Sequence, residues 1–259
     1  MIGIIGAGNM GKAIALCINE RLLINDVDPA MLRFKKTKYI FLAGDNINLT
    51  KRASLIILAV KPQCIIKVLE EIKPHVKGKL IVSIAAGIKT DLLEKVLGKA
   101  RVVRVMPNMP LLVGKGISAI TRGRFATERD LVCVGRIFMS LGEVVKLKEN
   151  LMDAVTAVSG SGPAYYFLFT DILEKAGVSC GLNKNLARRL ANATFIGAAE
   201  SASLTDISMQ DFVKKVASKG GTTEAALKIF KKKGLERIIT QAVKAACNRS
   251  RQLSRNGGM

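Results

Sequence analysis

Short apolar runs alternate with helical stretches through the first half of the chain. Met1–Ile5 reads as a strand, and Asn9–Arg21 as a helix with Ile14, Cys17 and Ile18 on one face. Leu22–Asp26 reads as a second strand and Tyr39–Leu42 as a candidate third. Ser54–Val60 is almost wholly apolar, the signature of a strand covered on both faces of a parallel sheet. Gln63–Ile72 has helical spacing, with Pro74 near its end. Lys79–Ile84 is a strand, Asp91–Leu97 a helix with Thr90 as its expected cap, and Ala100–Val105 another strand. Such alternation predicts right-handed crossovers and a doubly wound parallel sheet.

From about Asn150 the strand-like runs stop and helical spacing takes over. Leu235, Ile238, Ile239, Ala242, Val243 and Ala246 form one apolar stripe. Leu186–Leu204 is dense in small residues, as suits a helix packed on several sides, within one chain or against a second subunit. The expected class is α/β, with a dinucleotide-binding domain over 1–149 and an all-helical domain over 150–259.

Composition narrows the setting. The 259 residues suffice for two domains with real cores. No apolar run approaches the roughly 18 residues of a membrane span. The chain opens directly on a strand, which leaves no stretch that reads as a leader. The five cysteines are scattered without a C-x-x-C pair, and His75 is the sole histidine. A disulfide framework and a metal site are therefore both unsupported, and a cytoplasmic location is the default expectation. The net charge of +21 attracts anions, but the basic residues are dispersed and few aromatics sit among them. The simpler reading is that the lysines merely solvate the surface, with neither nucleic acid nor a membrane as partner.

The chemistry begins at Gly6-Ala7-Gly8-Asn9-Met10-Gly11, a G-x-G-x-x-G run between a strand and a helix. The first glycine permits the tight turn, the second lets the backbone approach a pyrophosphate, and the third lets helix and strand pack closely. This is the signature of a Rossmann domain. Asp26 closes the next strand at the spacing of a ribose-binding acid. Its charge repels a 2′-phosphate and favours NADH, whereas Lys35 and Lys36 are near enough in sequence to reach one. Ala59-Val60-Lys61-Pro62, Ser83–Gly87 and Arg104–Asn108 also end strands, where open α/β sheets bind ligands.

Two segments remain. Ser159-Gly160-Ser161-Gly162-Pro163-Ala164-Tyr165 lacks the G-x-S-x-G spacing and any base partner. It reads as a break between helices, with Pro163 in the first turn of the second. Ser218-Lys219-Gly220-Gly221-Thr222-Thr223-Glu224 precedes a helical run. It could seat a small carboxylate on free N–H and O–H groups. On residues alone, helix capping by Thr222 or Thr223 is the simpler reading.

Six segments in one order, G-A-G-N-M-G, I-L-A-V-K-P, S-I-A-A-G, V-R-V-M-P-N, S-G-S-G-P-A-Y and S-x-G-G-T-T, cover nearly the whole chain. In this the chain resembles the pyrroline-5-carboxylate reductase family. The resemblance implies a Rossmann domain followed by a helical domain that dimerises and often builds larger rings. It implies reduction of 1-pyrroline-5-carboxylate to L-proline, the last step of proline biosynthesis, by hydride from NADPH or NADH. It places Gly6, Ala7, Gly8, Asn9, Met10, Gly11, Asn46, Ala59, Val60, Lys61, Pro62, Ala85, Ala86 and Gly87 at the dinucleotide, beside Asp26 and Asn108 from the strand-end reading. It gives Ser218, Gly220, Gly221, Thr222 and Thr223 to the substrate, with Thr223 by the ring nitrogen as the catalytic group. Lys219 stands where proline is usual, Met109 where threonine is common, and the stretch before the second strand is short. A protonated cyclic imine is already electrophilic, so a missing catalytic histidine suits this chemistry and counts against a hydroxyacid dehydrogenase. A related imine or hydroxyacid dehydrogenase and a basic dinucleotide-sensing or nucleic-acid-binding protein are the competing readings.

Overall fold

The computed structural model describes residues 1–35 and 37–256. Lys36, one of the two lysines offered to a phosphate, and the tail residues 257–259 lie outside the described residues.

The strands are β1 (Ile2–Ile5), β2 (Leu22–Asn25), β3 (Ile40–Leu42), β4 (Leu55–Leu58), β5 (Leu80–Ser83), β6 (Arg101–Met106), β7 (Gly116–Arg122) and β8 (Gly142–Lys146). They form one sheet in the order β3-β2-β1-β4-β5-β6-β7-β8. Neighbours are parallel except β6 and β7. Every residue of β1, β2, β4 and β5 is buried, which is why these strands read as unbroken apolar runs.

Alternate side chains feed two cores. On one face Ile4, Ile24 and Ile57 pack with Ile14 of α1 (Asn9–Cys17) and with Val134 and Phe138 of α5 (Glu128–Met139). On the other face Ile5, Ile56 and Ile81 meet α2 (Asn46–Arg52), α3 (Ile65–Ile72) and α4 (Thr90–Leu97) through Leu49, Leu69 and Leu93.

Two local expectations are corrected. The first helix stops at Cys17, because Ile18 is already extended and the polar Asn19-Glu20-Arg21 carries the chain into β2. Thr90 does not cap α4. Lys89 is the N-cap, and the Thr90 hydroxyl donates to Glu149 Oε2 at 3.1 Å. That carboxylate also binds Arg104 Nη1 at 2.6 Å, so a fully buried arginine on β6 has its counter-ion.

Helices fill the rest. After α6 (Met152–Val155) a π-turn covers Thr156–Gly160, followed by α7 (Gly162–Ser179), α8 (Lys184–Ser203), α9 (Met209–Val216), α10 (Thr222–Lys232) and α11 (Leu235–Asn256). Pro163 is the second residue of α7, where a missing N–H costs nothing. Helices α7 and α8 pair antiparallel. Ring centroids of Tyr166 and Phe195 lie 5.8 Å apart at one end, and a Cβ on Gly177 would meet Ala187 Cβ at 3.3 Å at the other.

The fold is thus an α/β Rossmann sheet followed by a helical region. Two compact units divide it: residues 1–161 with 245–259, and residues 162–244. Among the described residues no helix is long and apolar enough to cross a membrane.

Candidate active site

The strand order reverses between β1 and β4, and the loops at their carboxyl ends lie side by side. Gly6 has φ +104°, and a Cβ there would sit 2.6 Å from the Ala59 carbonyl oxygen. A Cβ on Gly11 would lie 2.0 Å from the Gly6 carbonyl oxygen, so α1 can start this close to β1 only with glycine. Gly8 is different. A Cβ there would meet nothing within 4 Å, and Gly8 caps α1 without a side-chain bond. Open space over the amino end of a helix is what a pyrophosphate needs, so the loop fits a dinucleotide. Ala7 is buried, Asn9 is exposed, and Met10 is partly buried against the core.

Asp26 follows β2 and turns back onto this loop. Its Oδ2 accepts from the Ala7 N–H at 2.6 Å and its Oδ1 from the Asp28 N–H at 2.9 Å. The carboxylate therefore braces the glycine turn. Asn46, the first residue of α2, is buried. It accepts from Asn25 Nδ2 and donates to Glu71 Oε2, both at 2.8 Å. Its amide thus links β2 to α3.

Ala59 and Val60 are half-buried, Lys61 is exposed, and Pro62 opens a short 3₁₀ turn after β4. Ala85, Ala86 and Gly87 follow β5, with Gly87 at φ +77°. Asn108 is buried beyond β6. Its Oδ1 accepts from the Ile117 N–H at 2.9 Å, and its Nδ2 donates to Ser159 Oγ at 3.4 Å. Ser159 is thereby tied into the loop after β6. His75 precedes β5, at the opposite end of the sheet from these loops. Burial pushes the Cys17 thiol up, away from reactive thiolate chemistry. Among the described residues no group of three or more metal-ligating side chains comes together.

In the helical unit, Ser218–Glu224 forms a turn into α10. Gly220 has φ +75°, and the Gly221 N–H donates to the Ser218 carbonyl at 3.0 Å. A Cβ on Gly221 would lie 2.5 Å from Ser218 Oγ, so the second glycine makes room for that hydroxyl. Glu224 Oε2 accepts from the Gly220 N–H at 2.6 Å. The N-cap is Gly221 with no side-chain cap bond, and Thr222 and Thr223 are the first two residues of the helix. Helix capping by either threonine, the simpler reading from residues alone, is therefore corrected. Both hydroxyls stand at a helix amino end without that duty.

Some bonds of the site had no local signature. Arg104 bears on Glu149, 45 residues away, and Ser250 and Ser254 reach Asp153 and Gly87. A buried arginine inside an apolar strand is the one clue the sequence offers.

A mostly parallel sheet with a glycine loop at its switch point, followed in the chain by a helical unit, defines a two-unit dinucleotide-binding protein. Comparison with known proteins sharpens this class. The family described as pyrroline-5-carboxylate reductase dimerisation matches residues 149–253, and that described as NADP oxidoreductase coenzyme F420-dependent matches residues 1–87. The pyrroline-5-carboxylate reductase of Pisum sativum is 36% identical over 261 residues, covering 98% of this chain and 96% of the relative. That of Arabidopsis thaliana is 38% identical over 264 residues, with the same coverage. The Plasmodium falciparum pyrroline carboxylate reductase, solved with NADP bound, superposes with a TM-score of 0.89 at 32% identity, covering 98% of this chain and 97% of that one. The chain belongs to the pyrroline-5-carboxylate reductase family.

Proposed function

We propose that this chain reduces 1-pyrroline-5-carboxylate to L-proline with NADPH or NADH, the last step of proline biosynthesis. Full-length similarity to proteins of that activity carries the reading, at 36% identity over 98% of the chain for the pea enzyme. Gly6–Gly11 and Ala59–Pro62 hold the dinucleotide at the switch point, with Asp26 bracing the glycine turn. Ala85–Gly87 and Asn108 shape the walls farther along the sheet edge.

A bound nicotinamide supplies the hydride that reduces the C=N carbon. The residues of this chain orient the acceptor and manage its charge. Ser218 and the N–H group of Thr222 receive the carboxylate in the turn shaped by Gly220 and Gly221, where the helix dipole favours an anion. Lys219 adds a positive charge beside them. The Thr223 hydroxyl lies against the imine nitrogen, accepting from the protonated imine and remaining a partner for the amine that forms.

The helical unit pairs with a second copy, as a homodimer or larger homo-oligomer. The scattered lysines draw anionic reactants rather than nucleic acid, and five free thiols suit a cytoplasmic location. Oxidation of NADPH and NADH dependent on pyrroline-5-carboxylate, followed by absorbance with L-proline identified as product, tests the activity. No turnover with either nucleotide overturns it.

A further inference from the structure

The turn after β5 is held from outside the sheet by the end of α11. Ser254 donates its hydroxyl hydrogen to the Gly87 carbonyl. A Cβ on Gly87 would lie 2.7 Å from Leu253 Cβ and 2.9 Å from the Ser250 carbonyl oxygen, so the helix rests directly on the turn. One turn earlier, Ser250 is 3% exposed and donates to Asp153 Oδ1 at 2.6 Å. Asp153, on α6, is itself buried. One buried bond thus anchors the helix and a second, four residues on, seats it on Gly87. All of these residues belong to the unit that carries the sheet.

We infer that Ser254, seated by the Ser250–Asp153 anchor, is a positioning residue that presets the Ala85–Gly87 turn for the dinucleotide. The inference rests on the proposed placement of that turn at the dinucleotide. The physical case is one of preorganisation. Gly87 occupies a left-handed conformation with two alanines before it and no side chain of its own to fix the peptide plane. Within the turn that plane is held only by the long Ile88 N–H bond to the Ala85 carbonyl at 3.4 Å, and from outside the Gly87 carbonyl is held by a hydroxyl on the helix that Ser250 anchors. A turn already in its binding conformation need not be ordered when the ligand arrives.

The test compares Ser254→Ala, Ser254→Thr and Ala86→Asp in the full-length enzyme. Two readouts need no turnover: the NADPH dissociation constant by fluorescence titration, and amide exchange across residues 84–88 without ligand. Ser254→Ala is expected to weaken NADPH binding about three- to tenfold, the scale of one lost hydrogen bond. It should speed exchange at 84–88 and leave the KM for pyrroline-5-carboxylate unchanged. Ser254→Thr, which keeps the hydroxyl, should restore both. Wild-type affinity in Ser254→Ala, with Ala86→Asp impaired, overturns the positioning role while the dinucleotide placement stands. Wild-type affinity in both variants overturns the placement and the inference together. A Thr variant as weak as the Ala variant shows that the hydroxyl is not the cause, and also overturns it.

Discussion

At the scale of single residues, Thr223 separates two kinds of role. Gly221, not a threonine, is the N-cap of α10, and no side chain caps that helix. Thr223→Ala therefore removes no capping bond and should change stability by less than about 0.5 kcal/mol, as ordinary surface substitutions do. The proposed contact with the imine nitrogen makes a different demand. Its loss should lower kcat/KM for pyrroline-5-carboxylate at least about tenfold, with the NADPH dissociation constant unchanged. Thr222→Ala is the control, because its assigned role uses the backbone N–H, which the substitution keeps. Equal, near-wild-type kinetics in both variants would remove Thr223 from the site. Asp26 carries a second residue-scale prediction. Its carboxylate accepts from the Ala7 and Asp28 N–H groups and so stands beside the glycine loop. Asp26→Asn should raise the NADPH-to-NADH ratio of kcat/KM by about tenfold, or 1.4 kcal/mol, by relieving repulsion of a 2′-phosphate. An unchanged ratio would confine Asp26 to bracing the turn.

At the scale of elements, legibility follows burial. The runs that became β1, β2, β4 and β5 could be read because each lies under helices on both faces and carries apolar residues throughout. Strand β8 is mostly exposed, with Glu143 and Lys146 in its short span, and left no such run. Strand β7 mixes Ser118 and Thr121 into its sequence, and α2 is only seven residues long. The contiguous segments of the candidate site, Gly6–Gly11 and Ser218–Glu224, were legible because each is a single glycine-bearing run along the chain. The Thr90–Glu149 and Ser254–Gly87 bonds were not, because they join residues 59 and 167 positions apart. Helix α5 adds polar contacts to the apolar face it packs on the core. Thr127 and Asp130 form a capping box, and Glu128 binds Lys146 Nζ at 2.5 Å and Arg122 Nε at 2.9 Å. Hydrogen bonds from Lys146, then Arg122, hold the Glu128 carboxyl below its ordinary value of 4.5. A carboxyl lowered on folding contributes stability above its unfolded value and loses it as pH falls through the folded one. The difference in melting temperature between wild type and Glu128→Gln should therefore be largest near neutrality and shrink as the pH drops below 4.5. A difference constant down to full protonation would show that the two ion pairs contribute nothing.

At the scale of the whole molecule, the helical unit has too little of itself to cover its apolar residues. Tyr166, Phe167, Leu168 and Phe169 are consecutive on α7, and each is at least half exposed. Successive helical residues point about 100° apart, so these four surround the helix and no single neighbour can bury them all. Pairing with α8 uses one side only, and on α8 just Ala187 and Ala191 are buried. Ile172, Ile196 and Val213, on α7, α8 and α9, are each about half exposed as well. Monomeric proteins rarely leave contiguous patches above a few hundred Å² uncovered. The matching family, described as dimerisation, spans residues 149–253 and so contains all of these positions. Light scattering at micromolar concentration should show a dimer or a larger multiple of the 27.9 kDa chain. Leu168→Glu with Ile172→Glu places two charges one turn apart on a single exposed face of α7. If that face is an interface, the pair should shift the distribution to monomer, since burying unpaired charge there costs more than the contact returns. NADPH binding should survive, because the sheet unit has both of its cores within its own residues. A wild-type monomer of 27.9 kDa with full activity would show that the exposed apolar surface serves something other than self-association.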